Sequence, residues 1–324
     1  MKGLVEMKYI YSLRNAMDEL ISEKNAYVLG EDVMEPYGGA FKVTKGLSEK
    51  YPSNVIGTPM CEQGFTAISV GMALMGEYVI EEIMFGDFVT LTADQLVNHA
   101  AKFHELYGQK LHLVVRTPSG GYRGYGATHS QSLEKLLLGI PGLRVAAPNV
   151  FMNVGAFLKT VISDGIPTLF VENKLDYGKE LVLEDFDVFK REEMGNNIRI
   201  SVKGERPEVT ILTYGGTSNL AVEAAKKLMY EEEIAVEVVL VSELSRKFTA
   251  EEAERLFRTS KVVIAEEGTG GFGFSAQVAA TLAERGKQIK TVTSSENVIP
   301  ASALAESQVL IQAEDIFNAA VSLV

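Results

Sequence analysis

Short apolar stretches alternate with amphipathic helical patterns along most of the chain, and this rhythm constrains the fold more than any single motif. Leu13, Ala16, Met17, Leu20 and Ile21 recur at helical spacing, with Arg14, Asp18 and Glu19 on the other face. A short strand at 27–29 follows and ends in Gly30-Glu31-Asp32. The pattern then predicts helices over 65–75, 92–107, 133–138 and 156–162, and strands over 78–85, 111–115, 143–146 and 168–171. A charged stretch at 173–206 interrupts it, with Asn196-Asn197 inside and Gly204-Glu205-Arg206-Pro207 at its end. The alternation resumes with strands over 209–212, 235–241, 261–265 and 290–292 and helices over 219–230, 250–257 and 275–285. Apolar strands separated by helices imply a parallel sheet covered on both faces, with function at the C-terminal strand ends. The expectation is therefore α/β, with two parallel-sheet domains. One spans 1–180 and a smaller one spans 207–324, joined by an excursion and linker at 181–206. The length of 324 residues suits two domains at about 150 residues each.

Charge and cysteine content remove several functional classes. A net charge of −12 argues against nucleic acid and anionic membranes as partners, since both need a basic footprint. One cysteine, Cys61, excludes an internal disulfide framework and a cysteine-based zinc site. No apolar run approaches the roughly 20 residues of a membrane span. Residues 1–7 carry mixed charge without an apolar core, so no signal peptide is expected there. These features suggest a cytoplasmic enzyme or enzyme subunit.

Individual motifs each have a plainer reading. Gly268-Thr269-Gly270-Gly271-Phe272-Gly273 follows an apolar strand and precedes a helix, as a dinucleotide fingerprint would. No acidic partner follows about 20 residues on, and a glycine turn that packs a helix tightly on its strand explains it better. His99 and His104 are five apart on a predicted helix and read as solvated side chains, and His112, at a strand start, reads as structural. His129 differs, because it follows a glycine-rich loop beyond a buried strand, a position suited to proton transfer. Glu31 also follows a strand. Glu62 opens a helix, where an acid can simply complement the helix dipole.

Taken together, several segments resemble the β subunit of thiamine-diphosphate-dependent 2-oxo acid dehydrogenases, within the wider transketolase-like group. The segments are Gly30-Glu31-Asp32-Val33, the run from Gly39 to Leu47, Pro59-Met60-Cys61-Glu62-Gln63-Gly64-Phe65 and Phe85-Gly86-Asp87-Phe88. They continue through Asp94-Gln95-Leu96-Val97-Asn98, His129-Ser130-Gln131-Ser132, Gly139-Ile140-Pro141-Gly142-Leu143 and the run from Pro167 to Asn173. Their order and spacing hold from about residue 8 to 175, and the family includes pyruvate, branched-chain and acetoin dehydrogenase components. The resemblance implies a thiamine-pyrimidine-binding N-terminal domain and a transketolase C-terminal-like domain. It also implies that Glu62 bonds the pyrimidine N1′ and favours the imino tautomer that activates the thiazolium C2. Glu31 would be the second carboxylate of a proton relay. Two neighbouring carboxylates resist joint ionisation, so one would carry a raised pKa. Phe88 would stack on the pyrimidine, and His129 would face the 2-oxo acid and help transfer its acyl group. The family's monovalent cation site, taken here as K+, maps to Leu113, Val161, Ile162, Asp164 and Ile166. A plain helix C-cap at Gly165 is the alternative there.

The chain contains no Gly-Asp-Gly, the motif that holds the diphosphate through Mg²⁺ in this class. The resemblance therefore implies an α subunit that supplies the Mg²⁺ site, β–β self-association and an α2β2 heterotetramer. A lipoyl acyltransferase core would be the acyl acceptor. The C-terminal third departs from the family pattern at Val241-Ser242-Glu243-Leu244-Ser245-Arg246-Lys247-Phe248, in a shortened glycine turn at Gly268 to Gly273, and at Ile299-Pro300-Ala301-Ser302. These departures bear on the acceptor more than on the chemistry. Two alternatives stay open: a transketolase-type or synthase half-subunit forming carbon–carbon bonds without a lipoyl partner, and a regulatory or structural remnant. Retention of Glu31, Glu62, Phe88 and His129 speaks against the remnant.

Overall fold

A computed structural model describes residues 7–245 and 248–324, so the N-terminal reading of residues 1–6 and the departure at Arg246-Lys247 lie outside the described residues. The chain divides into two compact units. One comprises the described residues up to Ser119 with Gly139–Leu181, and the other Gly120–Leu138 with Val182–Val324.

The first unit is built on a six-stranded sheet: β1 (Tyr27–Gly30), β2 (Val55–Gly57), β3 (Val79–Glu82), β4 (Leu113–Ser119), β5 (Arg144–Ala146) and β6 (Thr168–Asn173). The order is β2-β1-β3-β4-β6-β5 and every pairing is parallel. Val28, Val79, Ile80, Leu113, Val114, Val115, Leu169 and Phe170 are buried in these strands, as continuous apolar runs in a doubly covered sheet should be. The chain leaves β1 for β2 on one side and then passes to β3 on the other. The strand order thus reverses at β1, and such a switch point opens a crevice beyond the C-terminal strand ends. The helix predicted over 92–107 is a longer helical run with a widened π turn, Gln95–Ala100, between Val89–Asp94 and Ala101–Tyr107. The segment predicted as a helix over 133–138 is a single 3₁₀ turn, Glu134–Leu137, and it belongs to the second unit.

The second unit also holds six strands: β7 (Phe189–Met194), β8 (Asn197–Val202), β9 (Val209–Tyr214), β10 (Val236–Val241), β11 (Lys261–Thr269) and β12 (Gln288–Ser294). Their order is β12-β11-β9-β10-β8-β7, with β12, β11, β9 and β10 parallel and the β7–β8 hairpin antiparallel. The sheet is therefore mixed, and the stretch 181–206 expected as a linker carries its edge hairpin. The charges that made it look like a linker lie on an edge strand. Lys190, Arg191, Glu192 and Glu193 line β7, and such charges protect an edge from pairing with another chain. Gly195, at φ +69°, starts the turn into β8. The first unit ends at Leu181, next to the boundary expected at 180, but the loop Gly120–Leu138 inside that span belongs to the second unit.

Candidate active site

Three predicted residues meet at the C-terminal ends of three neighbouring strands in the first unit. Glu31 immediately follows β1. Glu62 is the first residue of the helix Glu62–Leu74, which the chain enters after β2. Phe88 closes the short 3₁₀ turn Gly86–Phe88 that follows β3. Since β2, β1 and β3 are adjacent and parallel, all three residues stand at the reversal of strand order. Gly30 makes the approach possible, because a Cβ there would lie 2.6 Å from the carbonyl oxygen of Glu82 in β3.

The electrostatics distinguish the two acids. Glu31 is 7% exposed, and its buried Oε1 has no hydrogen-bond partner among the described residues. Burial pushes its carboxyl above the usual range, and the charges of Glu62 and Asp32 push it further. Glu62 is only partly buried, and no side chain caps the start of its helix. Its carbonyl accepts the Thr66 hydroxyl at 2.6 Å. The Phe88 ring meets Phe85 edge-on at 6.1 Å, Phe85 meets Phe41 at 5.6 Å, and the Lys174 ammonium stands over Phe85 at 5.5 Å. A carboxyl raised in pKa by burial and by a second acid, with an aromatic ring at the end of the neighbouring strand, fits the pyrimidine half of thiamine diphosphate.

His129 lies in the second unit, in the loop between β4 and β5. Its Nδ1 bonds the Thr128 hydroxyl at 2.9 Å, and its backbone N–H donates to Gly126 at 3.3 Å.

The residues predicted for a monovalent cation surround a site that already holds a positive charge. Arg144, 5% exposed, donates to the Val161 carbonyl at 3.4 Å and pairs with Asp164 at 2.8 Å. The Ile162 carbonyl is bonded by His112 Nδ1 at 2.8 Å, and the Ile166 carbonyl accepts the Thr168 hydroxyl at 2.8 Å. Leu113 follows His112 at the start of β4. A second cation would share these carbonyls and face the guanidinium at short range, so the arrangement does not fit an added K+. His112, stacked on Tyr78 at 4.1 Å, has the structural part expected of it.

Sequence reasoning missed a buried ionic network beside the site. Arg116 is fully buried midway along β4 and pairs with Glu82 of β3 and with both oxygens of Glu172 in β6, at 2.8 and 2.5 Å. Tyr177 donates to Glu172 at 2.6 Å. The available signal was charge inside apolar runs, at Val79-Ile80-Glu81-Glu82-Ile83 and Leu113-Val114-Val115-Arg116. Of the Gly268–Gly273 segment, Gly268 and Thr269 end β11 and Gly270–Gly273 form a tight turn into the helix Phe274–Ala283. A Cβ on Gly273 would stand 2.8 Å from Glu266 Oε1.

The profile of the transketolase pyrimidine-binding domain matches residues 5–179, and that of the transketolase C-terminal domain matches residues 199–316. The chain belongs to this family of two-domain, transketolase-like proteins. Among its relatives is the mitochondrial pyruvate dehydrogenase E1 component subunit beta-1 of Arabidopsis thaliana. That protein is 32% identical over 331 residues, covering 98% of this chain and 89% of the relative. The pyruvate dehydrogenase E1 component subunit beta of Rickettsia conorii is 35% identical over 273 residues, covering 83% and 82% of the two chains. A solved structure described as a split gene transketolase, inactive beta4 tetramer, aligns at a TM-score of 0.71 and 23% identity over 96% of both chains, a likeness of fold.

Proposed function

We propose that the chain is the β subunit of a thiamine-diphosphate-dependent 2-oxo acid dehydrogenase, the component that decarboxylates a 2-oxo acid and passes the acyl group to a lipoyl acceptor. The observation that carries this reading is the buried Glu31 carboxyl, raised in pKa, beside Glu62 at the switch point of the first sheet. Thiamine diphosphate, when bound, supplies the carbon nucleophile that the reaction needs. Glu62 would hold a proton at the pyrimidine N1′, and Glu31, on which its charge acts, would be the second carboxylate of the relay. Phe88 presents its ring to the pyrimidine face. His129 exchanges a proton with the oxygen of the acyl group under transfer. The relatives named as pyruvate dehydrogenase β subunits support pyruvate as the first substrate to assay.

The Mg²⁺ and diphosphate contacts are assigned to an α-type partner in an α2β2 assembly, since the chain has no Gly-Asp-Gly. We propose a lipoyl acyltransferase core as the acceptor and the cytoplasm as the location. Among the described residues no helix is long and apolar enough to cross a membrane. At the turn after the helix Val154–Ser163, Arg144 serves in place of K+.

The test is Glu62→Gln in the chain reconstituted with its α partner. Exchange of the thiazolium C2 proton should slow by about 10² or more while cofactor affinity changes far less. If Glu62 is only a first-turn acid, exchange stays normal and stability falls by about 0.3–1 kcal/mol. That result removes the reading.

A further inference from the structure

The loop that carries His129 is held from inside the second unit by two buried carboxylates. Glu267, in β11 and 7% exposed, accepts the backbone N–H of Gly121 at 2.6 Å. It also accepts the Ser132 hydroxyl at 3.2 Å, on the far side of His129 in sequence. Glu306, in the short helix Ala303–Val309 and 1% exposed, accepts the backbone N–H of Gly124 at 2.8 Å. Between these anchors the backbone is contorted, with positive φ at Gly120, Tyr122, Gly124 and Gly126. The loop also lies flat against its support. A Cβ on Gly121 would come within 2.3 Å of Leu310, and one on Gly124 within 3.0 Å of the Ala301 carbonyl.

This is a costly way to fasten a loop. Buried carboxylates lose their hydration, and Glu306 Oε1 has no hydrogen-bond partner among the described residues. Apolar packing would hold the segment at less cost, but it would not fix the direction of individual peptide groups. A carboxylate accepting one N–H fixes that direction, because a charge-assisted bond is short and sensitive to angle. The two fixed peptides lie eight and five residues before His129, and Ser132 lies three after it.

We infer that Glu267 and Glu306 are positioning residues for His129, clamping its loop through the Gly121 and Gly124 amides so that the imidazole is presented in one place. This inference rests on His129 being a proton-transfer group, as proposed above. The clamp itself can be measured without any reaction.

The experiment uses the full chain and the reconstituted pair, with Glu306→Ala, Glu306→Gln and Glu267→Gln, and His129→Ala as reference. Hydrogen exchange of 120–132 in the chain reads the clamp. Turnover of the pair reads its consequence, and C2 proton exchange reads the first unit. Glu306→Ala should speed loop exchange and lower kcat by about ten- to a hundredfold, the range for losing one hydrogen bond to a charged group, with KM less affected. Glu306→Gln and Glu267→Gln should recover most of both, because an amide oxygen still accepts the N–H. C2 exchange should be unchanged throughout. Unchanged loop exchange in Glu306→Ala overturns the clamp, as does faster exchange spread over the whole second unit. A loosened loop with normal kcat, while His129→Ala has lost turnover, overturns the positioning role. Normal turnover in His129→Ala overturns the reading of His129, and with it the positioning role, while the exchange data still decide whether the clamp exists.

Discussion

Glu81 should make the stability of the first unit fall as pH rises through neutrality. It lies in β3, fully buried, and its Oε1 accepts the Thr66 hydroxyl at 2.5 Å. Burial pushes its carboxyl from 4.5 up to about 7, and the hydrogen bond from Thr66 holds it back only partly. The unfolded chain releases this proton near 4.5, while the folded chain keeps it to about 7. Between those values the native state binds the extra proton, so stability declines with rising pH. It is full below 4.5, falls through the interval, and levels off above 7. At about 1.4 kcal/mol per pH unit the complete loss is about 3 kcal/mol. Glu81→Gln keeps the shape and an acceptor for Thr66 but cannot ionise. Its stability relative to the wild type should therefore improve by about 1.4 kcal/mol between roughly pH 6 and pH 8.5. Urea denaturation of both proteins at the two pH values measures this, and the difference between them cancels the other titrating groups. The same offset at both values would refute the argument, because it would mean that Glu81 titrates alike in the folded and unfolded chains. Thr66 has one hydroxyl proton and two acceptors, Glu81 and the Glu62 carbonyl, so ionisation of Glu81 also reaches the first turn of the Glu62 helix.

Two further outcomes follow from the site. Calorimetry of the isolated chain with thiamine diphosphate and Mg²⁺ should show no tight binding, since the diphosphate contacts are assigned to the partner; micromolar affinity without it would end the split-site reading. Replacing K+ by choline should leave the wild-type melting temperature within about 1 °C, whereas Arg144→Ala should lower it through loss of charge-assisted bonds worth about 1.5–3 kcal/mol and make it respond to K+. A wild-type melt that itself rises by several degrees with K+ would show that Arg144 does not take the ion's place.

The legible parts of the sequence are those where side-chain pattern reports local environment. Buried strands such as 113–115 and 209–212 are apolar on both faces, and the helix around Leu13–Ile21 has one apolar stripe, so the alternation could be read directly. Where burial is paired with charge, the pattern misleads. β7 looked like a linker because it is an edge strand of charged residues, and β2 is too short to register. The C-terminal helices Ala303–Val309 and Ala313–Val321 also escaped the reading. Glu31, Glu62 and Phe88 can be singled out as candidates because they sit within glycine- and proline-marked turns at strand ends, where the resemblance is densest. The ownership of the His129 loop could not be read. It is decided by Glu267 and Glu306, more than 130 residues away along the chain, through bonds to backbone amides that leave no trace in the loop's own residue types.

The buried ions of the first unit bear on the same question of placement. Arg116, midway along β4, ties that strand to the C-terminal ends of β3 and β6 through Glu82 and Glu172. Taking three charges out of water is rarely the most stable way to fill a core, and apolar residues of similar volume often do as well or better. What the network adds is direction. A guanidinium bound to both oxygens of Glu172 fixes both planes, and with Glu82 it fixes how the ends of β3 and β6 stand relative to β4. The segment after β3 carries Phe88, and Glu82 also crowds Gly39 on the loop that follows Glu31, leaving 2.9 Å to a Cβ there. The network thus couples two of the three proposed site positions, those of Phe88 and Glu31, to a rigid centre. Preorganisation of this kind is what a proton relay requires, since a displacement of about 1 Å can cost a hundredfold in rate. A buried ion cluster at these strand ends is therefore better explained by the geometry it enforces on the site than by the stability it contributes to the fold.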